Sequence, residues 1–318
     1  MNRLTTFLKL IRIQNLLILS FVLFTLKYQF INYYIINPVL SNYNFFLLII
    51  STILIMAGGY IINDIYDIKT DEINNTQILN KYLNIKYIKW IYIALNILGI
   101  CIGSYLAFQI NIPRYSLIFI FSSLSLWIYS KKLKRLLLIG NILIAFLIIV
   151  SILNIGLFDI YSNGFSKEEL IIFKVITYYA SFAGLITLFR EIIKDVEDIK
   201  GDISIKATTL AIKYGTKNTK RIALTIIIFT SMLIGYFQYF QYSIINTKFE
   251  YNISVWGGNQ LSLLYTVLIQ ILFLLIIIKT YNAQTKEDFS TISTISKIIM
   301  IIGIISIPTF TYLHLNNA

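Results

Sequence analysis

The chain has 318 residues, 57% of them hydrophobic and 13% charged, with a mean hydropathy of +0.75. Soluble domains carry nearer a quarter of charged residues, so a soluble core is excluded and a polytopic all-α membrane protein is expected. The net charge of +12 favours anionic lipid headgroups and anionic substrates, and with no soluble basic domain to carry it, it does not point to nucleic acid.

The predicted elements are nine transmembrane helices, at about 14–33, 44–62, 88–110, 115–130, 136–158, 170–190, 222–242, 261–281 and 295–315. The fourth is the shortest. The basic start and first apolar run read as an uncleaved span, because no small-residue cleavage site follows. Alternating strand patterning is absent, which argues against a β-barrel. With the N-terminus placed in the cytoplasm, 22 of the 27 Lys and Arg fall on inner segments. That bias predicts a cytoplasmic N-terminus and an outer C-terminus in a cell inner or plasma membrane. Lys27 is counted among the five outer basic residues. No Pro-, Gly- or Ser-rich linker divides the chain, so 1–318 reads as one domain.

After the second span comes NDIYDIKTD, with Asn63, Asp64, Asp67 and Asp71. After the sixth comes KDVEDIKGD, with Asp195, Asp198 and Asp202. Both read D-x-x-D-x-x-x-D, 131 residues apart, and nine of the 15 acidic residues fall at 64–72 and 191–202, counting Glu72, Glu191 and Glu197. Positions i, i+3 and i+7 share one helix face, so each triplet should aim its carboxylates together. The echo of span, aspartates and span divides spans 1–4 and 5–8 into two units with the ninth appended. A site between the halves is then expected.

Carboxylates held so close repel one another unless a cation sits among them. Hard oxygen ligands suit Mg²⁺, which usually also takes phosphate oxygens. One ion is assigned to Asn63, Asp64, Asp67 and Asp71, a second to Asp195, Asp198 and Asp202. Asp67 and Asp198 are expected to be catalytically essential. Lys131, Lys132, Lys134 and Arg135 after the fourth span, with Arg190 and Lys194, would balance a diphosphate. The run at 131–135 serves equally as a topology anchor. One cysteine, Cys101, excludes an intramolecular disulfide, and the lone His314 lies far from the aspartates. Zinc sites and histidine acid–base catalysis are thereby disfavoured.

At these motifs the chain resembles the UbiA superfamily of intramembrane prenyltransferases. Asn63-Asp64-x-x-Asp67-x-x-x-Asp71 and Asp195-x-x-Asp198-x-x-x-Asp202 both match that family's pattern. The resemblance implies nine helices around a central cavity and Mg²⁺-dependent transfer of an isoprenoid from its diphosphate to an acceptor. Arg190 to Asp202, Thr209-Leu210-Ala211, Tyr214-Gly215, Tyr129 to Arg135 and Gly140-Asn141 are similar to the branch whose acceptor is a prenylated glycerol phosphate. The bond formed there is an ether. Leu10-Ile11-Arg12-x-x-Asn15 resembles the family's opening. The resemblance thus adds Arg12, Asn15, Tyr129 and Asn141 to the substrate-binding set. The family's N-K-P-x-R-P-like stretch after the first motif is replaced by Glu72 to Leu79, without its Arg or prolines. An aromatic quinone precursor is the alternative acceptor, and a transporter or a non-catalytic scaffold the alternative classes. Transporters usually hold ionisable residues at the midplane, whereas these triplets lie at the rim. The expected partners are a prenyl diphosphate, a lipid or aromatic acceptor and membrane lipids, with no obligate protein partner.

Overall fold

The computed structural model describes residues 3–35, 37–73, 78–79, 82–160, 166–205, 207–244 and 260–317. Residues 74–77, on which much of the departure from the family pattern falls, lie outside them, as does the side chain of His314. Hydrocarbon offers the backbone no hydrogen-bond partners, so apolar runs of this length satisfy themselves as helices. The order is α1 Arg3–Leu10, α2 Ile13–Leu26, a π-helical turn Lys27–Ile31, α3 Asn32–Tyr34, α4 Asn42–Ile73, α5 Ile85–Gln109, α6 Ser116–Lys131, α7 Ile139–Asp159, α8 Lys167–Glu197, α9 Ile199–Ser204, α10 Leu210–Ile244, α11 Gln260–Asn282 and α12 Lys286–Asn317. Among the described residues there is no strand, only one isolated bridge between Leu79 and Leu83.

Eight of these helices, taking Ile13–Tyr34 as one, are long and apolar enough to cross a membrane. The 16-residue α6 is the short member of the predicted nine; at ~1.5 Å per residue it covers about 24 Å. The predicted positions hold, and the ends differ where polar residues continue a helix. Thus α4 runs through the whole first motif to Ile73, and α12 begins at Lys286 within the polar stretch. Thr285 accepts from the Asp288 backbone N–H, and the Asp288 carboxylate accepts from the Thr285 backbone, which caps α12.

The helices form a ring. α4 packs on α2, α5 and α6; α7 packs on α8; α8 packs on α10 and α12; α11 lies between α10 and α12. α12 also packs on α2, so the ninth span closes the ring instead of being appended to it. One core cluster fills the end away from the motifs, around Leu23, Phe45, Phe158 and Ile307, and a second joins α8, α10, α11 and α12. Outward-facing apolar residues such as Leu17, Phe108 and Leu264 are exposed as lipid-facing residues must be. The protein is an integral membrane protein by these spans.

Two sequence expectations are corrected. The second triplet does not lie on one continuous helix: α8 ends at Glu197, Asp198 sits at a break (φ −99°, ψ 10°), and Asp202 belongs to α9. The Gly201 and Asp202 backbone N–H groups both return to the Asp198 carbonyl, which turns the chain back over the motif. Lys27 is not an outer-loop residue. It is 1% exposed and donates to both carboxylate oxygens of the fully buried Asp159, at 2.7 and 2.9 Å.

Candidate functional site

The first motif occupies the last turns of α4. Asn63 Nδ2 donates to Asp67 Oδ2 at 2.8 Å one turn further on, and Asp67 Oδ1 is ion-paired with Lys134. Lys134 arrives on a 3₁₀ turn, Leu133–Arg135, between α6 and α7. Gly140 makes that approach possible: a Cβ there would lie 2.8 Å from the Lys134 Cα and 3.0 Å from the Leu133 carbonyl. Both are backbone atoms that cannot swing aside. Asn141, the next residue, reaches the other motif, donating from Nδ2 to Asp195 Oδ2 at 3.1 Å.

Arg12 lies where α1 stops and α2 begins, in the left-handed region at φ 50°, ψ 54°. A non-glycine residue there is strained and needs surrounding contacts to hold it. The break sends its guanidinium over the Tyr60 ring, 4.8 Å from the centroid, and to Asp64 at 3.4 Å. Asn15, one turn into α2, donates to Tyr60 Oη at 3.0 Å.

From the other half, Arg190 donates from NH1 to Glu191 at 3.2 Å and from Nε to Ser293 Oγ at 3.1 Å, joining α8 to α12. Lys194 also faces Glu191, at 4.0 Å. Tyr129 stands near Asp67 of the first motif, Asp195 of the second, and Glu191 of α8.

The two motifs meet. Asp202 is close enough to Asp198 and Asp67 to feel both charges, and α4 packs against α9. Burial first, then those neighbours, pushes the Asp202 carboxyl up to about 7. Burial likewise raises Asp198. It lowers the Lys134 ammonium, against the pull of Asp67. This excess of negative charge is what a divalent cation would neutralise. Among the described residues no three acidic, His or Cys side chains close on a single point. That arrangement fits Mg²⁺, which is usually held by one or two carboxylates and completed by water and substrate phosphates.

Beneath the motifs a cavity of about 290 Å³ runs into the bundle. Arg12, Asn15, Asn63, Tyr129, Arg190 and Glu191 line its polar end, and Leu19, Val22, Phe119, Ile148, Phe182 and Phe310 are among its apolar walls. Asn154 lines its far part, buried, with an Oδ1 that has no hydrogen-bond partner.

Of the residues singled out in the sequence, the structure gathers Arg12, Asn15, Asn63, Asp64, Asp67, Tyr129, Lys134, Asn141, Arg190, Lys194, Asp195, Asp198 and Asp202. Asp71 lies near Lys134. Three do not join them: Lys132 is exposed, and the other two turn elsewhere. Lys131 is exposed and sits over the Trp127 ring, 4.7 Å from its centroid. The Arg135 carbonyl accepts from both the backbone N–H and the hydroxyl of Thr208, bracing the loop before α10, and its buried Nε has no partner. Sequence reading missed Tyr60 and Lys297 at the cavity wall, and Ser293, which holds Arg190. Only Lys297, a cation inside a span, carried a signal that could have found it.

A ring of membrane helices with paired carboxylate motifs over an apolar cavity defines the class: intramembrane enzymes that bring a polar reaction centre to an apolar substrate. The chain matches the UbiA prenyltransferase family over residues 22–292 and belongs to that family. It is 30% identical over 289 residues to a digeranylgeranylglyceryl phosphate synthase of Methanococcus aeolicus, covering 88% of each chain. To the synthase of the same name from Sulfurisphaera tokodaii it is 34% identical over 189 residues, 58% of this chain and 63% of that one. The matched part thus spans a little under two thirds of that relative's length. A solved structure described for digeranylgeranylglyceryl phosphate synthase superposes with a TM-score of 0.62 at 24% identity, covering 98% of this chain and 99% of the other. A UbiA homologue from Archaeoglobus fulgidus bound to DMAPP and Mg²⁺ superposes with a TM-score of 0.59 at 15% identity, covering 96% of this chain and 99% of the other.

Proposed function

We propose that this protein is a Mg²⁺-dependent prenyltransferase that moves a geranylgeranyl-type group from its diphosphate to the hydroxyl of a prenylated glycerol phosphate. The carbon–oxygen bond to diphosphate breaks, the ether bond forms, and the hydroxyl proton is released. The observation that carries this reading is the convergence of Asp67, Asp198 and Asp202, from two halves of the chain, over one apolar cavity. The relatives named digeranylgeranylglyceryl phosphate synthase support the choice of acceptor.

Asn63, Asp64, Asp67, Asp71, Asp195, Asp198 and Asp202 are the residues assigned to hold the metal, with Asp67 and Asp198 essential. Bound Mg²⁺ would neutralise the diphosphate and stabilise it as it leaves. Lys134 supplies a cation beside Asp67. Asn63 and Asn141 orient Asp67 and Asp195 by hydrogen bonds. The apolar walls take the prenyl chain and keep water from the departing fragment. The basic-residue bias supports a cytoplasmic motif end and N-terminus and an outer C-terminus. Residues 1–318 act as one domain.

The experiment is a competition. Purified protein with Mg²⁺ and geranylgeranyl diphosphate is offered equal geranylgeranylglyceryl phosphate and dihydroxynaphthoate, and products are read by mass. The glycerol ether is expected. Prenylated naphthoate as the main product would move the assignment to an aromatic acceptor. No product with any prenyl diphosphate would leave the transporter or scaffold reading in its place.

A further inference from the structure

The charges at the cavity mouth are unevenly distributed. The motif side holds Asp64, Asp67, Asp195, Asp198 and Asp202, with Arg12 paired to Asp64, Lys134 to Asp67, and Lys194 and Lys286 near Asp198. The facing wall, from α2, α8 and α12, holds Arg12, Arg190 and Lys297, all lining the cavity, with Lys194 behind them and Glu191 as the one carboxylate among them. Arg190 is directed toward α12 by its bond to Ser293.

Lys297 is the residue that needs an explanation. Lys286, at the start of α12, lies near Asp198 at the motif end. Lys297 stands eleven residues further in, roughly 16 Å along the helix axis at ~1.5 Å per residue. It lies inside a membrane span and on the cavity wall. The charges that reach it are the like charges of Arg190 and Arg12. No carboxylate is ion-paired with it among the described residues. A lysine in that position is costly to keep charged beside two arginines, and an intramembrane cation of this kind ordinarily faces an anion. Glu191 does not serve, because it is already shared by Arg190 and Lys194.

We infer that Lys297 and Arg190, with Arg12 at the edge toward Asp64, form a second anion site beside the metal motifs, which takes the phosphate monoester of the acceptor. The inference rests on the acceptor class proposed above. Chemistry separates the two sites. A diphosphate carried with Mg²⁺ suits a carboxylate-rich wall, whereas a bare phosphate of charge near −2 suits a wall with surplus cations. Placing the acceptor's phosphate on this wall sets its glycerol across the mouth from the motifs, and its prenyl chain runs down the apolar walls.

The test reads binding, so it does not depend on turnover. Geranylgeranylglyceryl phosphate, its dephosphorylated alcohol and geranylgeranyl diphosphate with Mg²⁺ are each titrated into detergent-purified wild type, Lys297→Met and Lys297→Arg. Wild type is expected to bind the phosphate lipid at least tenfold more tightly than the alcohol. Lys297→Met should lose most of that preference, and Lys297→Arg should keep it, while the diphosphate binds all three proteins alike. Equal binding of phosphate lipid and alcohol by wild type would overturn the inference. So would a loss of diphosphate affinity in Lys297→Met as large as the loss for the phosphate lipid, because the lysine would then serve the donor. Product mass in the competition above reports on the acceptor class by itself, so the two ideas fail separately.

Discussion

Asp67 shows how one side chain links the two halves of the site. One oxygen accepts from Asn63 on its own helix, and the other is paired with Lys134 from the turn before α7. Its charge also reaches Asp198 and Asp202. Asp67→Asn or Asp198→Asn keeps size and removes one full negative charge from the metal side. Each is expected to lower turnover by at least ~10²-fold, since several kcal/mol of charge stabilisation would go. Thermal melts would confirm that the variants fold, and near-wild-type rates in folded protein would refute the assignment. Asp202 adds a pH dependence. Its carboxyl, raised to about 7 by burial and by Asp198 and Asp67, holds a proton below that pH and loses it above. A cation competes with that proton, so Mg²⁺ affinity should rise as pH increases through about 7, with proton release on binding. Asp202→Asn should flatten the slope. Calorimetry in buffers of different ionisation enthalpy measures both, and pH-independent binding in wild type would count against the role.

Two helix junctions hold the site through backbone geometry. At the start of α7, Gly140 leaves room for the turn that carries Lys134. Gly140→Val would drive a side chain into the Lys134 Cα and the Leu133 carbonyl. Overpacking of this kind usually costs ~1–3 kcal/mol. The expected outcome is a lower melting temperature and a loss of activity that Gly140→Ala shows in milder form. An active Gly140→Val variant with unchanged diphosphate affinity would show that the turn does not position Lys134. Within α10, Gly215 (φ 75°, ψ 164°) breaks the helix after Tyr214. Nothing lies within 4 Å of the place where its Cβ would be. Gly215→Ala should therefore act through backbone strain alone, of order 1–3 kcal/mol, seen as a melting shift with little change in substrate affinity. α10 starts twelve residues before the predicted span: the short segment Leu210 to Tyr214 is set off by this break, and the polar stretch Thr216 to Arg221 is helical and continues into the apolar run.

For the molecule as a whole, the end opposite the motifs is tied by Lys27 and Asp159. The lysine turns inward where α2 widens into its π-helical turn, and besides Asp159 it donates to the Leu40 carbonyl at 3.0 Å. The Asp159 carboxylate also accepts from the Leu40 backbone N–H at 2.8 Å. The first span, the loop before α4 and the end of α7 are thus held at one point. Removing one partner of a buried pair leaves an uncompensated charge and typically costs ~3–5 kcal/mol. Lys27→Met should be strongly destabilised, whereas Lys27→Met with Asp159→Leu should recover most of the loss. Equal stability of the single variant and wild type in detergent unfolding would show that the pair carries no structural weight. Because the pair lies far from the motifs, substrate affinities of the surviving folded protein should change little.

The amino-acid sequence alone determined the helical membrane class, the approximate spans and the two aspartate motifs. Those features are local: span length follows from apolar runs, and D-x-x-D-x-x-x-D is read directly. It also marked Arg12, Asn15, Tyr129 and Asn141 through family resemblance, and all four reach the site. Only the tertiary structure decided that Lys131 turns to Trp127 while Lys134 turns to Asp67, although the two stand three residues apart. It alone brought Lys297 beside Arg190 and Arg12, matched Lys27 with Asp159 and made α12 the closing member of the ring. The physical reason is the distance along the chain. Apart from Lys131 over Trp127, one helical turn away, each of these pairings joins residues tens to hundreds of positions apart, and a charge in one span has no local mark of the partner it will meet. That partner is set by which helix faces pack together.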